Sequence, residues 1–326
     1  MRYLDGVESS KRLSRIGLGT WQFGSREWGY GDDFNAGEAG RIVARAVELG
    51  ITVIDTAEAY GFGESERIVG AALREHGLRD QVYVATKIFP ILPIAPVVVN
   101  RGRASAERLG IETIDLYQVH QPNPVVKDAQ TMPGMRQLQD AGVVSDVGVS
   151  NYSLARWKEA ERQLGTPVLS NQVEFSLACM DVLDDLVPYA ASQGRVVIAW
   201  SPLGQGFLSG RYDADNRPGN GVRNMNPLFL PEAFESARGL LGTLREVADA
   251  HGVSMSQTAL AWLLHQPNVI AIPGASSVEQ LERNAAAADI DLRDDEVAEL
   301  TAEARRFRRP PRTAALKAAV SRRLHR

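Results

Sequence analysis

The chain has 326 residues, 44% of them hydrophobic, with 36 lysines and arginines against 40 acids and a single cysteine, Cys179. That length buries a large core, and α/β barrels commonly reach it as one domain, whereas one cysteine excludes an internal disulfide framework. No apolar run of membrane-spanning length occurs and the N-terminus lacks an apolar stretch of signal-peptide length, so the expectation is a soluble, cytoplasmic protein with no membrane partner.

Charge is unevenly spread. Nine lysines or arginines and no acid follow Glu303, which leaves 27 basic against 40 acidic residues up to that point. A basic tail can bind nucleic acid or anionic lipid, but a solvated or self-docking tail is the better reading, so no nucleic-acid partner is expected. Residues 311–326 read as a basic tail after one domain of residues 1–310, and Leu316, Val320 and Leu324 give the tail helical spacing.

Residues 2–15 hold Asp5-Gly6 in a polar run, the pattern of a hairpin that would cap a barrel floor. Ile16-Gly-Leu-Gly-Thr20 begins the core as a first strand. Gly17 and Gly19 lack the third glycine and the immediate helix of a dinucleotide fingerprint, so they read as points of close approach by a backbone or ligand. Helical spacing over 36–49 ends at Gly50. An alternation then runs to the end of the core. Strands fall at 51–55, 82–85, 113–119, 143–149, 167–171, 196–200 and 269–272, and helices at 64–75, before Gly110, and at 132–140, 154–163, 182–192, 240–250 and 256–264. Eight buried strands separated by helices, with no hairpin in the body, predict a parallel (β/α)8 barrel. Three prolines and a triple valine in 89–99 predict a third helix that starts late or is partly loop. Residues 204–231, long and rich in Gly, Asn and Pro, have the character of a functional lid.

In such barrels the chemistry sits where strands end. The strand-end residues are polar throughout: Thr20, Asp55, Lys87, His120, Ser150 with Asn151, Gln172, Ser201, and Pro273 with Gly274. Lys87 is one of five lysines against 31 arginines, and a compact ammonium is what a buried proton relay needs. Tyr60 follows Asp55 by five residues, and a phenol with an ordinary pKa of about 10 becomes a proton donor where an adjacent cation lowers that value. The histidines at 76, 120, 251, 265 and 325 lack ligand-like spacing, so no metal site is expected.

The runs GITVIDTAEAYGFGESERIVGAAL, VYVATK, IDLYQVH, VGVSNYS, NQVEF, AWSPLGQGFLSG and AIPGASSVEQL, in order over residues 12–305, resemble the aldo-keto reductases. PLGQGFLSG and IPGASSVEQL look closer to the bacterial and potassium-channel β-subunit-like branch than to mammalian aldose reductases. The resemblance implies an NAD(P)H-dependent oxidoreductase reducing small carbonyl compounds, with Asp55, Tyr60, Lys87 and His120 as catalytic tetrad and Tyr60 as general acid. It implies NADP(H), with NAD(H) as the alternative, because a basic residue of many relatives is missing near Gly274 and Gln280. Gly19, Thr20 and Trp21 would contact the cofactor; Ser150, Asn151 and Gln172 would hold its carboxamide, and Trp200 would stack on the ring. Ser201, Pro202, Leu203, Gln205, Gly206, Ser209 and Arg211 would clamp the pyrophosphate, and Pro273, Gly274, Ala275, Ser276, Ser277, Gln280, Arg283 and Asn284 would read the adenine end. Trp21, Trp28, Tyr30 and Phe89 would wall the substrate pocket. A second reading of the same kinship is a cofactor-bound regulatory or redox-sensing module with little turnover.

Overall fold

The computed structural model describes residues 1–31, 34–218, 222–311 and 313–314. Eight strands run in chain order, every neighbouring pair parallel: β1 (Leu18–Gly19), β2 (Val53–Asp55), β3 (Tyr83–Ile88), β4 (Ile114–Val119), β5 (Val144–Ser150), β6 (Val168–Glu174), β7 (Val196–Trp200) and β8 (Val269–Ala271). The sheet closes on itself. Gly17 N donates to Ala271 O at 2.8 Å, Ala271 N to Arg15 O at 2.9 Å, and Gly19 N to Pro273 O at 3.1 Å. A Cβ added at Gly19 would lie 2.7 Å from Ile272 O, so the seam needs glycine there.

The connections are α1 (Ala36–Glu48), α2 (Glu64–Glu75), α3 (Ala95–Leu109), α4 (Asp128–Asp140), α5 (Leu154–Leu164), α6 (Leu186–Gln193), α7 (Pro231–Ser236), α8 (Arg238–His251), α9 (Met255–His265), α10 (Val278–Ala286) and α11 (Asp294–Arg306). Local chemistry sets their starts. Asn35 Oδ1 accepts from Gly37 N and Glu38 N ahead of α1, Ser153 accepts from Arg156 N ahead of α5, and Ser254 with Gln257 forms a capping box on α9. Two cores result. One fills the space between sheet and helices, and the smaller fills the barrel itself with Val53, Tyr83, Ala85, Leu116, Leu169, Val196, Ile198 and Ile270. The alternate positions 83 and 85, and 196 and 198, are the inward face of their strands. The predicted hairpin is present, with Leu4 N donating to Leu13 O and Arg15 N to Arg2 O, both at 2.9 Å. Buried Leu13 closes the barrel floor.

Several boundaries differ from those expected. α3 runs through Val97–Val99, because Pro96 sits in its first turn, where a missing N–H costs nothing, and Val98 is buried. α4 begins four residues early and continues through Pro133, α6 begins late behind the Asp185 cap, and α11 was not anticipated. Lys87 and Gln172 stand inside their strands rather than just beyond them. The expected tail helix at Leu316, Val320 and Leu324 lies outside the described residues. Among the described residues, no helix is long and apolar enough to cross a membrane.

Candidate active site

Four functional groups meet at the carboxyl end of the barrel. Asp55 closes β2, Lys87 is the penultimate residue of β3, and His120 follows β4 directly. Tyr60 opens a short turn, Tyr60–Gly63, in which Gly61 and Phe62 take left-handed φ of 55° and 54°. That turn swings the ring back over the strands. Lys87 Nζ, wholly shielded from solvent, donates to Asp55 Oδ1 at 2.6 Å, to Thr56 O at 2.8 Å and to Tyr60 Oη at 3.3 Å. The Tyr60 and His120 rings meet edge to face, centroids 5.8 Å apart.

Burial works against the charge on Lys87, but Asp55 and the Tyr60 oxygen outweigh it and leave the ammonium pKa above its ordinary value. For Tyr60, burial raises the pKa, Lys87 lowers it, and Asp55 raises it again. The net direction is upward. Lys87 therefore opposes the shift without bringing the phenol to the lowered value expected from the sequence, and Tyr60 stays protonated at neutral pH. Burial, with help from the Lys87 charge, depresses the His120 pKa to about 3. The imidazole is thus neutral, and its buried Nδ1 has no hydrogen-bond partner among the described residues.

The second oxygen of Asp55 is also held. Gln172 Nε2 donates to Oδ2 at 2.7 Å, and Gln118 Nε2 reaches it at 3.5 Å. Behind them Thr56 Oγ1, Ser65 Oγ and Thr20 Oγ1 form a buried string with links of 2.8 Å. Gln118, Thr56 and Ser65 escaped the sequence reading. For Gln118 a signal existed: it is a polar residue inside an apolar strand, opposite Lys87 in the register.

Above the tetrad lies a cleft of about 740 Å³. Asp55, Tyr60 and His120 reach it, with Lys87 beneath. At one end Trp200 Nε1 donates to Asn151 Oδ1 at 3.1 Å, and Asn151 Nδ2 donates to Ser150 Oγ at 3.0 Å and to His120 O at 3.2 Å. Asn151 and Ser201 hold left-handed φ of 61° and 48° to face it. Gly19, Thr20, Trp21 and Gln172 line the same end, and Pro202, Leu203, Gln205, Gly206, Ser209 and Arg211 line the middle. Ser209 Oγ donates to Gly206 O at 2.6 Å and accepts from Arg211 N at 3.2 Å, so it braces the turn from within. At the far end are Pro273, Gly274, Ala275, Ser276, Gln280, Arg283 and Asn284. Ser277 instead caps α10, accepting from Gln280 N, and does not line the cleft.

The expected substrate wall is brought together only in part. Trp21 stacks over Tyr60 at 6.2 Å and meets Trp28 edge-on at 5.1 Å, and both indoles line the cleft. Tyr30 turns onto Phe34 at 5.5 Å and lies off the cleft wall. Phe89 stands edge-on to His120 at 6.1 Å but outside the cleft lining. The sequence reading missed Gln22, Tyr212, Arg223, Ser254 and Gln257, which also line it. Arg223 carries its guanidinium 5.0 Å over the Trp28 ring and donates to Gln205 O at 2.9 Å, bridging two loops across the cleft. Among the described residues no cluster of His, Cys, Asp and Glu is placed to hold a metal.

A closed parallel barrel with a carboxylate, an ammonium, a phenol and an imidazole converging beside a long cleft is the architecture of a barrel oxidoreductase. The sequence profile of the aldo/keto reductase family matches residues 15–304. An uncharacterized oxidoreductase of Mycobacterium tuberculosis is 58% identical over 308 residues, 94% of each chain. The aldo-keto reductase YhdN of Bacillus subtilis is 35% identical over 294 residues, 86% of this chain and 87% of that one. Among solved structures, a glycerol dehydrogenase from Gluconobacter oxydans superposes with a TM-score of 0.83 at 30% identity, covering 94% and 96% of the two chains. An aldo/keto reductase from Klebsiella pneumoniae, solved with NADP and acetate, gives 0.73 at 29% identity over 94% and 95%. The chain belongs to the aldo/keto reductase family of oxidoreductases.

Proposed function

We propose that the protein reduces aldehydes or ketones to alcohols with NADPH, Tyr60 giving its proton to the carbonyl oxygen. The observation that carries this reading is the contact of Lys87 Nζ with Asp55 and Tyr60 Oη, roofed by the neutral His120.

The cleft suits a dinucleotide in length and in donor set. Trp200, Asn151, Ser150 and Gln172 offer a stacking face and amide partners at one end, Arg211 and the Gly204–Ser209 turn offer a cation and backbone groups in the middle, and Ser276, Arg283 and Asn284 lie at the other. The Arg283 cation beside the start of α10 favours a 2′-phosphate, and thus NADP(H) over NAD(H). The Klebsiella relative solved with NADP supports the same preference. When bound, the cofactor supplies the hydride, which no side chain can.

The chain's own groups do the rest. His120, neutral, keeps a hydrogen-bonding nitrogen for the substrate oxygen without adding a second cation beside Lys87. Lys87 holds charge next to Tyr60 Oη and stabilises the phenolate left as the proton departs. Asp55 fixes that ammonium, and Gln172 fixes Asp55. We read residues 1–310 as one catalytic unit, and Pro202–Gly210 with Ile272–Leu281 as kinship with the bacterial and potassium-channel β-subunit-like branch. Tyr60→Phe tests the proposal: with NADPH and a small aldehyde, kcat should fall about 10²- to 10⁴-fold while cofactor binding is kept. Undiminished reduction by the variant refutes the role of Tyr60. Retained cofactor with only a slow single turnover in the wild type would favour a sensor over an enzyme.

A further inference from the structure

A buried carboxylate stands beside the tetrad without facing the cleft. Glu58 lies three residues after Asp55 and two before Tyr60, on the connection between β2 and the Tyr60–Gly63 turn. It does not line the cleft, and its side chain is only 9% exposed. Its backbone N donates to Lys87 O at 3.3 Å, and its carboxylate accepts from Phe89 N. Glu58 thus grips β3 on both sides of Ile88, through the residue that carries the ammonium and through the residue whose ring meets His120 edge-on.

Arg101 of α3 holds that grip. Its Nε donates to Glu58 Oε2 at 3.0 Å, its Nη2 pairs with Glu58 Oε1, and its Nη1 donates to Phe89 O at 2.8 Å. The planar guanidinium serves both partners at once, which a lysine could not. A second guanidinium, Arg108, stands 3.9 Å from Glu58 Oε2 and packs against Gly63, where an added Cβ would lie 2.7 Å from its Cδ. The turn that carries Tyr60 is therefore clamped at its entry and supported at its exit. Burial keeps the Glu58 pKa above its ordinary value even though the Phe89 N–H and Arg101 oppose the shift. A buried ion pair of this kind adds little to fold stability beyond what apolar side chains of the same volume would give; what it can specify is placement.

We infer that Glu58, anchored by Arg101, is a positioning residue for Tyr60, fixing the phenol within hydrogen-bond reach of the Lys87 ammonium. The inference rests on the reductase reading above and deepens it. Of the three contacts made by Lys87 Nζ, the one to Tyr60 Oη is the longest, at 3.3 Å against 2.6 Å to Asp55 and 2.8 Å to Thr56 O. The sheet sets the two shorter ones, since Asp55 closes β2 and Thr56 N donates to Ala85 O at 2.8 Å. Tyr60 lies beyond that ladder, so its hydroxyl stays near Lys87 only while the loop before it is held. A displacement of about 0.5 Å would carry the contact past hydrogen-bond reach.

The test combines Glu58→Ala, Glu58→Gln and Tyr60→Phe, with NADPH oxidation by a small aldehyde as the assay and urea unfolding as the control for folding. Glu58→Ala should lower kcat on the order of 10²-fold while the dissociation constant for NADPH, read from its fluorescence, stays within about twofold, because no group lining the cleft is altered. Glu58→Gln keeps an oxygen for Phe89 N and should recover about tenfold of that loss. Added to Tyr60→Phe, Glu58→Ala should lower kcat by less than about threefold more, because it acts through the phenol. A kcat within about threefold of the wild type, a loss confined to NADPH affinity, or an equal loss with and without Tyr60→Phe overturns the inference. Should Glu58→Ala fail to fold, Arg101→Met, at a side chain 27% exposed, removes the anchor instead and faces the same criteria. Should no aldehyde turn over, the reductase reading fails on its own, and crystal structures of the wild type and Glu58→Ala decide the positioning role. Tyr60 Oη more than about 3.5 Å from Lys87 Nζ in the variant alone upholds it, and an unchanged separation overturns it.

Discussion

At the scale of single residues, the site depends on one buried ammonium that lowers the pKa of two neighbours. Lys87 pulls the Tyr60 pKa down against burial and pushes the His120 pKa down along with burial. The signs fix the pH dependence of the proposed reaction. His120 titrates near 3, so its neutral form persists through the whole working range, and Tyr60, raised above 10, keeps its proton there as well. Carbonyl reduction should therefore show a flat kcat/KM between about pH 5 and 9. Alcohol oxidation, which needs the phenolate as base, should rise with pH up to that raised value. Lys87→Met removes the charge and hydrogen bond that lower it, and the rise should move further to the alkaline side; a pH–rate profile of both proteins checks this. Asp55, Lys87 and His120 were legible in the sequence because each ends an apolar run, and Tyr60 through the family resemblance of the stretch that follows Asp55. Gln118 and the Thr56–Ser65–Thr20 string were not, because their relevance exists only through contacts across strands that spacing does not encode.

At the scale of elements, a second charged cluster ties α2 and α3 to the back of β3. Glu66, fully buried on α2, accepts from Thr86 Oγ1 at 2.6 Å and from Arg108 Nε of α3 at 2.5 Å. Thr86 immediately precedes Lys87. Removing the guanidinium leaves a carboxylate in the core with only a hydroxyl for company. Arg108→Ala should lower stability by about 2–4 kcal/mol, reduced from the roughly 3–5 kcal/mol of a fully buried pair because Arg108 keeps some solvent contact. Urea unfolding measures it. Periodicity found most helices because their apolar stripes are wide. It missed α11, whose buried Val297, Leu300 and Ala304 form a thin stripe in a charged stretch, and it discounted 97–99 because three β-branched residues after a proline mimic a loop. The walls of the cleft were the least legible part. Ser254 and Gln257 arrive from the N-terminus of α9, more than forty residues beyond the Gly204–Ser209 turn on which that helix packs, and only the closed barrel brings them together.

At the scale of the whole molecule, the barrel is a ladder of parallel pairs with one weaker join. Seven pairings between consecutive strands carry registers of two to five residues, whereas the first and last strands meet through isolated bridges, Ile16 with Ala271 and Gly19 with Gly274. The cleft lies across that join, touching Gly19 and Thr20 on one side and Ile272 to Ala275 on the other. A dinucleotide seated there would act as a staple, holding the two lips of the cylinder together from above. Occupancy and closure are then a single equilibrium: ligand at 100 times its dissociation constant adds about 2.7 kcal/mol to the closed form. Amide exchange read with and without NADPH should show protection gained first at Gly17, Gly19 and Ala271, so that whatever empties the cleft also loosens the cylinder at its lips.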